Sequence, residues 1–476
     1  MVRRLCVFAV LAPLIASGCA PLGRNYQRPA VTPPDAFRGA TVTATQAASI
    51  ADLPWFELFK EPELAALVRE ALDHNLDLKA AIARVDEFRG HAALAGANLK
   101  PFVAGSFSTD AQPNTGKVDN VYSAGLVFNW EIDFFGRLRR SAEAAGAELL
   151  GSEEGTRAVM SSVAAGVAQG YTTLRSLDDQ VAITRRNIQT QEASLNLVRT
   201  LAAGGVATGA EVQQATTQLA STRAVLPVLE RQSLQVENGI SVLLGRAPGD
   251  VARGSAATAL PTAPEIPVGL PSQLLERRPD IRAAEHQLHA AVARIGVALA
   301  EKIPIPRIGL TSSFGRLSTS LNDLFRSAGT TVFSLGGFID LPLYDGGRGN
   351  ARERIARAQA EQAALEYREV ILESFREVAD ALVTIDRIRQ EIGQNQIRVD
   401  ASREYLRLTD LRYRGGIISY LEVLDAQRQL FSAEIDLSEN QRTHLLAVID
   451  LYRALGGGWS DDEIAKLMAR PATAQQ

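Results

Sequence analysis

Residues 121–136 read VYSAGLVFNWEIDFFG, and this stretch decides the fold. From Tyr122 to Ile132 every second residue is apolar or aromatic, whereas the intervening positions are mostly small or polar and include Asn129 and Glu131. Alternation with a period of two predicts a β-strand that has one apolar face. Such a strand could belong to a soluble sandwich. The small and polar residues on its other face favour the lipid-facing wall of a membrane barrel.

The stretch belongs to an internal duplication. The segment GGVATGAEV at 204–212 matches GGIISYLEV at 415–423, an offset of 211 residues that also pairs Gly136 with Gly347. Upstream, DLKAA at 77–81 matches DIRAA at 280–284 at an offset of 203, as Pro101 matches Pro304. The change from 203 to 211 predicts an eight-residue insertion in the second copy, between the positions equivalent to Pro101 and Gly136.

Each copy is predicted to be a strand hairpin followed by a long helix and a return helix. The strands fall at about 102–112 and 120–133 in the first copy, and at about 305–316 and 330–343 in the second. Proline-free helical segments run from 137 to about 203 and from 349 to about 414, each roughly 100 Å long at 1.5 Å per residue. Shorter helices are predicted at about 62–99, 209–245, 272–302 and 421–455. The predicted domains are a first repeat at 55–245, a linker at 246–271, a second repeat at 272–459 and a tail at 460–476.

The N-terminus has the pattern of a bacterial lipoprotein signal. Arg3 and Arg4 precede an apolar segment that ends in Ala16-Ser17-Gly18-Cys19. Residues 1–18 are predicted to be a signal peptide, Cys19 to carry a covalent lipid, and the Pro-rich residues 19–54 to form an extended tether. The alternative is a plain secreted protein in which Cys19 occurs by chance.

Composition and motifs argue against several classes of protein. With 50 Lys and Arg against 54 Asp and Glu, the chain is neither a polybasic nucleic-acid binder nor an acidic tail. The only cysteines are Cys6 and Cys19, so a disulfide framework or a cysteine zinc site is excluded beyond them. Gly346–Gly349 lacks the Lys-Ser/Thr of a phosphate-binding loop, and His286 with His289 have no further metal ligand nearby. We predict that the protein is not an enzyme and has no metal or other cofactor.

Four strands cannot close a barrel, and open strand edges are not tolerated in a bilayer. The wall must therefore be shared between chains. Two chains would give eight strands and a filled interior, whereas three would give twelve strands and an open lumen. We predict a homotrimer of a mainly α chain with a small β part.

Five motifs show a resemblance to a known family. They are Trp55–Phe59, Ala71–Asn75, Trp130–Arg137, Arg277–Asp280 and Leu455–Trp459. Together they resemble the TolC-type outer membrane efflux proteins, in the lipoprotein branch that serves resistance-nodulation-division (RND) pumps. The resemblance implies a trimeric twelve-stranded outer-membrane β-barrel continuous with a periplasmic α-helical barrel. It also implies a periplasmic adaptor and an inner-membrane RND transporter as partners, with drugs or other small toxic solutes as cargo.

Two alternative functions remain, and the first of them would share this architecture. One is the outer-membrane duct of a type I protein secretion system, and the other is a structural coiled-coil lipoprotein without a pore. The lipoprotein signal favours the efflux branch over the first, and the amphipathic hairpins argue against the second.

The resemblance places functional residues at the two turns that end the long helices. The turns are expected to lie farthest from the outer membrane and to contact the adaptor; their residues are Gly204, Gly205, Val206, Ala207 and Thr208, and Gly415, Gly416, Ile417, Ile418 and Ser419. Glycines at helix ends also serve as C-caps. Tyr413, Glu422 and Asp425 match residues that ring the closed periplasmic entrance in the family. Ile418 stands where some relatives have a basic residue that holds this gate shut.

Overall fold

The computed structural model describes residues 21–34, 36–38, 61–114, 117–254, 271–302, 304–326 and 329–457. Cys19 and the predicted signal peptide lie outside these residues, as does the C-terminal tail. The first repeat contains helices α1 (Pro62–His74) and α2 (Leu76–Ala97), strands β1 (Phe102–Asn114) and β2 (Lys117–Ile132), and helices α3 (Arg137–Ala203) and α4 (Gly209–Leu243). The second contains α5 (Pro271–Arg277), α6 (Pro279–Ala300), β3 (Arg307–Ser318), α7 (Leu321–Leu324), β4 (Thr330–Asp340), α8 (Arg348–Arg414) and α9 (Tyr420–Ala454).

The chain forms two compact units. The first comprises residues 1–31, 83–154 and 280–370, and the second comprises 32–82, 155–279 and 371–476. Each unit takes segments from both repeats, so the duplicated halves fold together rather than as separate domains.

The first unit contains one antiparallel sheet in the order β1-β2-β3-β4. Leu126 lies opposite Phe314, and Phe314 lies opposite Phe333, so the apolar positions of neighbouring strands share one face. The other face carries small and polar residues such as Ser123, Ser313 and Ser334. β1 and β4 are the outer strands, and each has one edge that pairs with no strand among the residues that the structure describes.

The strand pairing corrects one detail of the duplication. Phe102 lies opposite Asn129 and Arg307 lies opposite Asp340, so Phe102 corresponds to Arg307. The predicted match of Pro101 with Pro304 is therefore wrong, and Pro101 corresponds to Pro306. Two of the eight extra residues precede β3, and the other six lie in the connection that contains α7.

The two predicted helices at 62–99 and 272–302 are each broken once, at equivalent positions. Asn75 separates α1 from α2, and its side-chain oxygen accepts from the amide of Leu78 at 2.9 Å, which caps the second helix. Arg278 separates α5 from α6 and precedes Pro279, a position at which helical backbone is disfavoured. Each break thus has a local cause that the predicted continuous helices did not include.

Part of the segment that is predicted to be an extended tether contacts helices of the first unit. Within the first unit, the amide of Leu22 donates to Phe135 O at 2.9 Å, and the buried Arg140 donates to Leu22 O at 3.1 Å. The ring of Tyr26 stacks on His289 at 4.6 Å, and Arg28 forms an ion pair with Glu285 at 2.9 Å. The segment is extended, as its prolines predict, but these contacts hold it in place.

The largest apolar core lies in the second unit. It packs residues of α1, α3, α4, α8 and α9 around Tyr171 and Tyr452, and Phe37 from the N-terminal segment joins it. In the first unit the buried apolar contact between α3 and α6 consists of alanines, and ion pairs such as Glu154 with Arg282 flank it; the alanines are Ala144, Ala147, Ala290 and Ala293. Small residues let two helix backbones approach closely, which suits long helices packed side by side.

Candidate functional site

The turn between α3 and α4 is a Schellman motif. The amide of Val206 donates to Leu201 O at 2.9 Å and that of Gly205 donates to Ala202 O at 3.0 Å. Gly205 has φ +75°, a left-handed conformation that glycine adopts without strain. Thr208 then caps α4 in a capping box with Glu211.

The turn between α8 and α9 repeats this geometry. The amide of Ile417 donates to Arg412 O at 2.9 Å, and Gly416 has φ +69°. Ser419 occupies the N-cap position of α9 but makes no capping bond through its side chain. The glycines therefore have the C-cap role predicted for them, and the backbone of both turns is fixed.

Both turns expose one apolar side chain. Val206 is 76% exposed and its equivalent Ile417 is 70% exposed. In most Schellman motifs the residue at this position packs back onto its own helix. Ala207 and Ile418, one position later, are instead partly buried against the core beneath the turns. Each turn thus offers one unpaired apolar side chain at its tip.

Beneath the turns, α3, α4, α8 and α9 share a small core within the second unit. Its buried members are Leu195, Val198, Ala215, Leu219, Tyr413, Tyr420, Val423 and Leu424. The rings of Tyr413 and Tyr420 lie 5.3 Å apart, and the Tyr413 hydroxyl has no hydrogen-bond partner among the described residues. Burial and the nearby Glu211 carboxylate raise the pKa of Tyr413. Burial chiefly, with a contribution from Tyr413, raises the pKa of Tyr420 to about 12.

The structure brings together two of the three predicted gate residues. Glu422 and Asp425 are exposed and lie one turn apart on α9. Asp425 accepts a hydrogen bond from Gln429 at 2.6 Å. Tyr413 does not join them on the surface, because its ring is buried against Tyr420. In the first repeat, Glu211 is engaged in the capping box, whereas its equivalent Glu422 makes no such bond.

A basic groove near the turns was missed by the sequence analysis. It has a volume of ≈ 660 Å³ and lies between α3 and α8, with Gln427 of α9 also lining it. Arginines lie on both walls: Arg186, Arg403, Arg407 and Arg414. Their spacing along α8 places them on neighbouring turns, but the facing Arg186 is far away in sequence. Only the packing of α3 beside α8 reveals the groove.

The described part of the chain has neither a membrane-spanning helix nor a cluster of metal ligands. No helix there is both long enough and apolar enough to cross a bilayer. In the same residues, no three side chains of His, Cys, Asp or Glu converge as a metal-binding group.

An amphipathic hairpin, a long helix and a capped turn, repeated twice, define a class of export channel protein. Comparison with known proteins agrees with this assignment. The family model described as "Outer membrane efflux protein" matches residues 67–246 and 270–457. The chain is 35% identical to the toluene efflux pump outer membrane protein TtgC of Pseudomonas putida over 473 residues, covering 96% of both chains. It is 32% identical to the probable outer membrane lipoprotein SilC of Salmonella typhimurium, covering 96% of this chain and 99% of the relative.

Solved structures show the same fold. The outer-membrane channel OprN superposes with a TM-score of 0.85 at 29% identity, covering 92% of this chain and 99% of that one. The chain belongs to the outer membrane efflux protein family, and it is an outer-membrane protein of an efflux system.

Proposed function

We propose that three copies of this chain form the exit duct of a tripartite efflux pump. In this proposal twelve strands close a barrel in the outer membrane, and the long helices form a tunnel in the periplasm. A lipid on Cys19 anchors each copy to the membrane, and the duct passes drugs or other small toxic solutes. An inner-membrane RND transporter and a periplasmic adaptor supply the cargo.

The open sheet is the observation that carries this proposal. Its apolar face is exposed, with Leu335 71% and Ile339 70% accessible, and both outer strands have a free edge. In a bilayer the unpaired backbone groups of those edges would each cost several kcal/mol. Pairing β4 of one copy with β1 of the next removes both edges at once.

An exposed apolar stripe on α8 supports association of copies along the helices too. Leu372, Val383, Ile397 and Leu408 are all exposed in the single chain. Their separations of 11, 14 and 11 residues are close to whole helical turns, so the four side chains lie within about 40° of one another. A narrow apolar stripe of this kind fits a neighbouring helix, and a second copy of the chain is the occupant we propose.

The proposal is tested by the mass and shape of the protein extracted from membranes in mild detergent. Light scattering should give three chain masses, and negative-stain images should show a rod well over 100 Å long, since a 67-residue helix alone spans about 100 Å. A compact monomer would contradict the shared barrel.

The acidic pair on α9 gives a prediction about conduction. Three copies of Glu422 and Asp425 around one axis would attract cations to the periplasmic entrance. Because the same side chains would narrow the entrance, we expect Asp425→Ala to widen it and to raise single-channel conductance in bilayers on the order of threefold, equivalent to about 0.7 kcal/mol. Because the substitution also removes negative charge, we expect it to lower cation selectivity. Glu391→Ala removes an exposed acid from α8 and serves as the control. Unchanged conductance and selectivity in Asp425→Ala would reject the gate assignment.

The exposed apolar residues of the two turns give a prediction about the adaptor. We expect Val206→Asp and Ile417→Asp each to weaken adaptor binding about tenfold, which corresponds to about 1.4 kcal/mol. Surface plasmon resonance with the immobilised trimer measures this. Leu234→Asp, at an exposed leucine of α4 away from the turns, should bind like the wild type. If all three variants bound the adaptor with the same affinity, the adaptor would not contact the exposed apolar residues of the turns.

A further inference from the structure

The two helix breaks are joints at which three helix ends meet, and the joints are equivalent by the duplication. At the first, Asn75 donates to Leu243 O, at the end of α4, at 2.9 Å. At the second, Arg278 donates to Ala454 O, at the end of α9, also at 2.9 Å. Leu243 and Ala454 are themselves equivalents at the offset of 211. Both joints lie within the second unit.

The first joint is closely packed, and the long helix α3 takes part in it through an apolar contact. Asn75 is buried and both ends of its amide are hydrogen-bonded within the joint. A Cβ on Gly245 would lie 2.2 Å from His74 O, so the end of α4 is pressed against the end of α1. The long helix α3 contributes Gly166 here, beside the side chain of Leu243. This contact of α3 is apolar. The joint also has an ion pair between Arg246 and Glu70 at 3.4 Å, but this pair links the end of α4 to α1, does not involve α3, and has both side chains at least 35% exposed.

The second joint is ionic and less closely packed. Arg278 forms an ion pair with Glu377 of α8 at 2.8 Å, and Arg453 of α9 approaches the same carboxylate at 3.4 Å. A Cβ on Gly456 would lie 3.2 Å from the backbone of Arg277, one ångström farther than at the first joint. Glu377 replaces the equivalent Gly166, so α8 is held to this joint by charge where α3 is held by apolar contact.

The apolar contact of α3 and the ion pair of α8 differ in how easily they can be broken. The Arg278 side chain is 6% exposed, whereas that of Glu377 is 21% exposed and reachable by water. Removing one partner of such a pair leaves the other charge poorly solvated, so small changes at Glu377 have large local effects. The apolar contact of α3 at the first joint has no buried charge whose partner could be lost.

We propose that Arg278, Glu377 and Arg453 form an ionic latch, which ties the long helix α8 to the α5–α6 break and to the end of α9 and is released when the duct opens. The role in opening rests on the proposed function, whereas the difference in local stability between the joints does not. The latch holds α8 and α9, the two helices that carry Tyr413, Glu422 and Asp425.

Amide hydrogen exchange of the full-length protein in detergent tests the latch directly. Glu377→Gln keeps the shape of the side chain and removes its charge. We expect exchange to accelerate about tenfold in the last two turns of α9 and around the α5–α6 break, because the loss of a partly buried ion pair favours local opening. The last turns of α4 and the α1–α2 break should exchange as in the wild type. Arg453→Gln, a milder change, should act in the same direction by about threefold.

Glu404→Gln is the matched control, because Glu404 forms an exposed ion pair with Arg407 on the same helix α8, away from Arg278, Glu377 and Arg453. It should leave both joints unchanged. Equal acceleration at the two joints, or none at either, would overturn the latch.

Single-channel recording separates the latch from the proposed function. Glu377→Gln should increase the open probability of the duct about tenfold, in proportion to the local opening. If wild type and variant both fail to conduct while exchange rises at the second joint alone, the duct proposal fails and the latch stands. If the wild type conducts and the variant opens no more often, the role of the latch in opening is rejected.

Discussion

Gly245→Ala is expected to destabilise the protein by about 2–5 kcal/mol. Two effects combine: an alanine in the left-handed region costs about 1–2 kcal/mol, and overpacking costs about 1–3 kcal/mol. Gly245 has φ +69°, and its added Cβ would lie 2.2 Å from His74 O, a backbone atom that no side-chain rotation can move. Because large membrane assemblies unfold irreversibly, the measurement is the half-life of folded protein at a raised temperature, together with the yield from membranes.

Alanine substitutions at two other glycines distinguish the cost of the left-handed backbone conformation from the cost of close packing. Gly456 has φ +74° and its Cβ would lie 3.2 Å from the nearest atoms, whereas Gly205 has φ +75° and no atom within 4 Å. The loss of stability should therefore fall from Gly245→Ala through Gly456→Ala to Gly205→Ala, the last costing about 1–2 kcal/mol. Equal losses at the three positions would show that conformation alone matters and that the first joint is not tightly packed.

The parts of the fold that depend on local patterns could be predicted from the sequence. Alternation from Tyr122 to Ile132 predicted β2, and the repeated Gly-Gly segments predicted both turns, because each pattern reflects the local backbone. The helix breaks had local signals too, in the capping residue Asn75 and in Pro279. The helical spacing of apolar residues continues on both sides of each break, and for that reason each segment was predicted as one continuous helix.

The features that depend on distant contacts could not be predicted in the same way. The prolines of the N-terminal segment predicted an extended chain but not the surface on which it lies, which requires Arg140 and His289 from two different helices. The resemblance assigned Tyr413 to the gate together with Glu422 and Asp425, but no spacing in the sequence indicated that its ring lies buried against Tyr420. The ionic latch likewise joins residues of α8 and α9 at the break that follows α5, and no spacing in the sequence brings them together.

Leu335→Arg should prevent assembly in the outer membrane. Leu335 is on the apolar face of β4, opposite Ser312 and away from both ends of the strand. An arginine facing lipid near the middle of a barrel strand costs about 2–4 kcal/mol, and a trimer would incur this cost three times. We expect the variant to be lost from the outer-membrane fraction and to be degraded by protease in intact cells.

Ser334→Arg is the matched control, one residue away on the opposite face. Ser334 lies opposite Ser313, and their hydroxyls share a hydrogen bond at 2.7 Å. In a closed barrel this face lines a water-filled lumen, where a charge changes conduction rather than stability. Ser334→Arg should therefore assemble normally and lower the conductance for cations. If the two variants assembled equally well, the apolar face of the sheet would not face lipid. The twelve-stranded barrel would then have to be abandoned, whatever the mass of the complex.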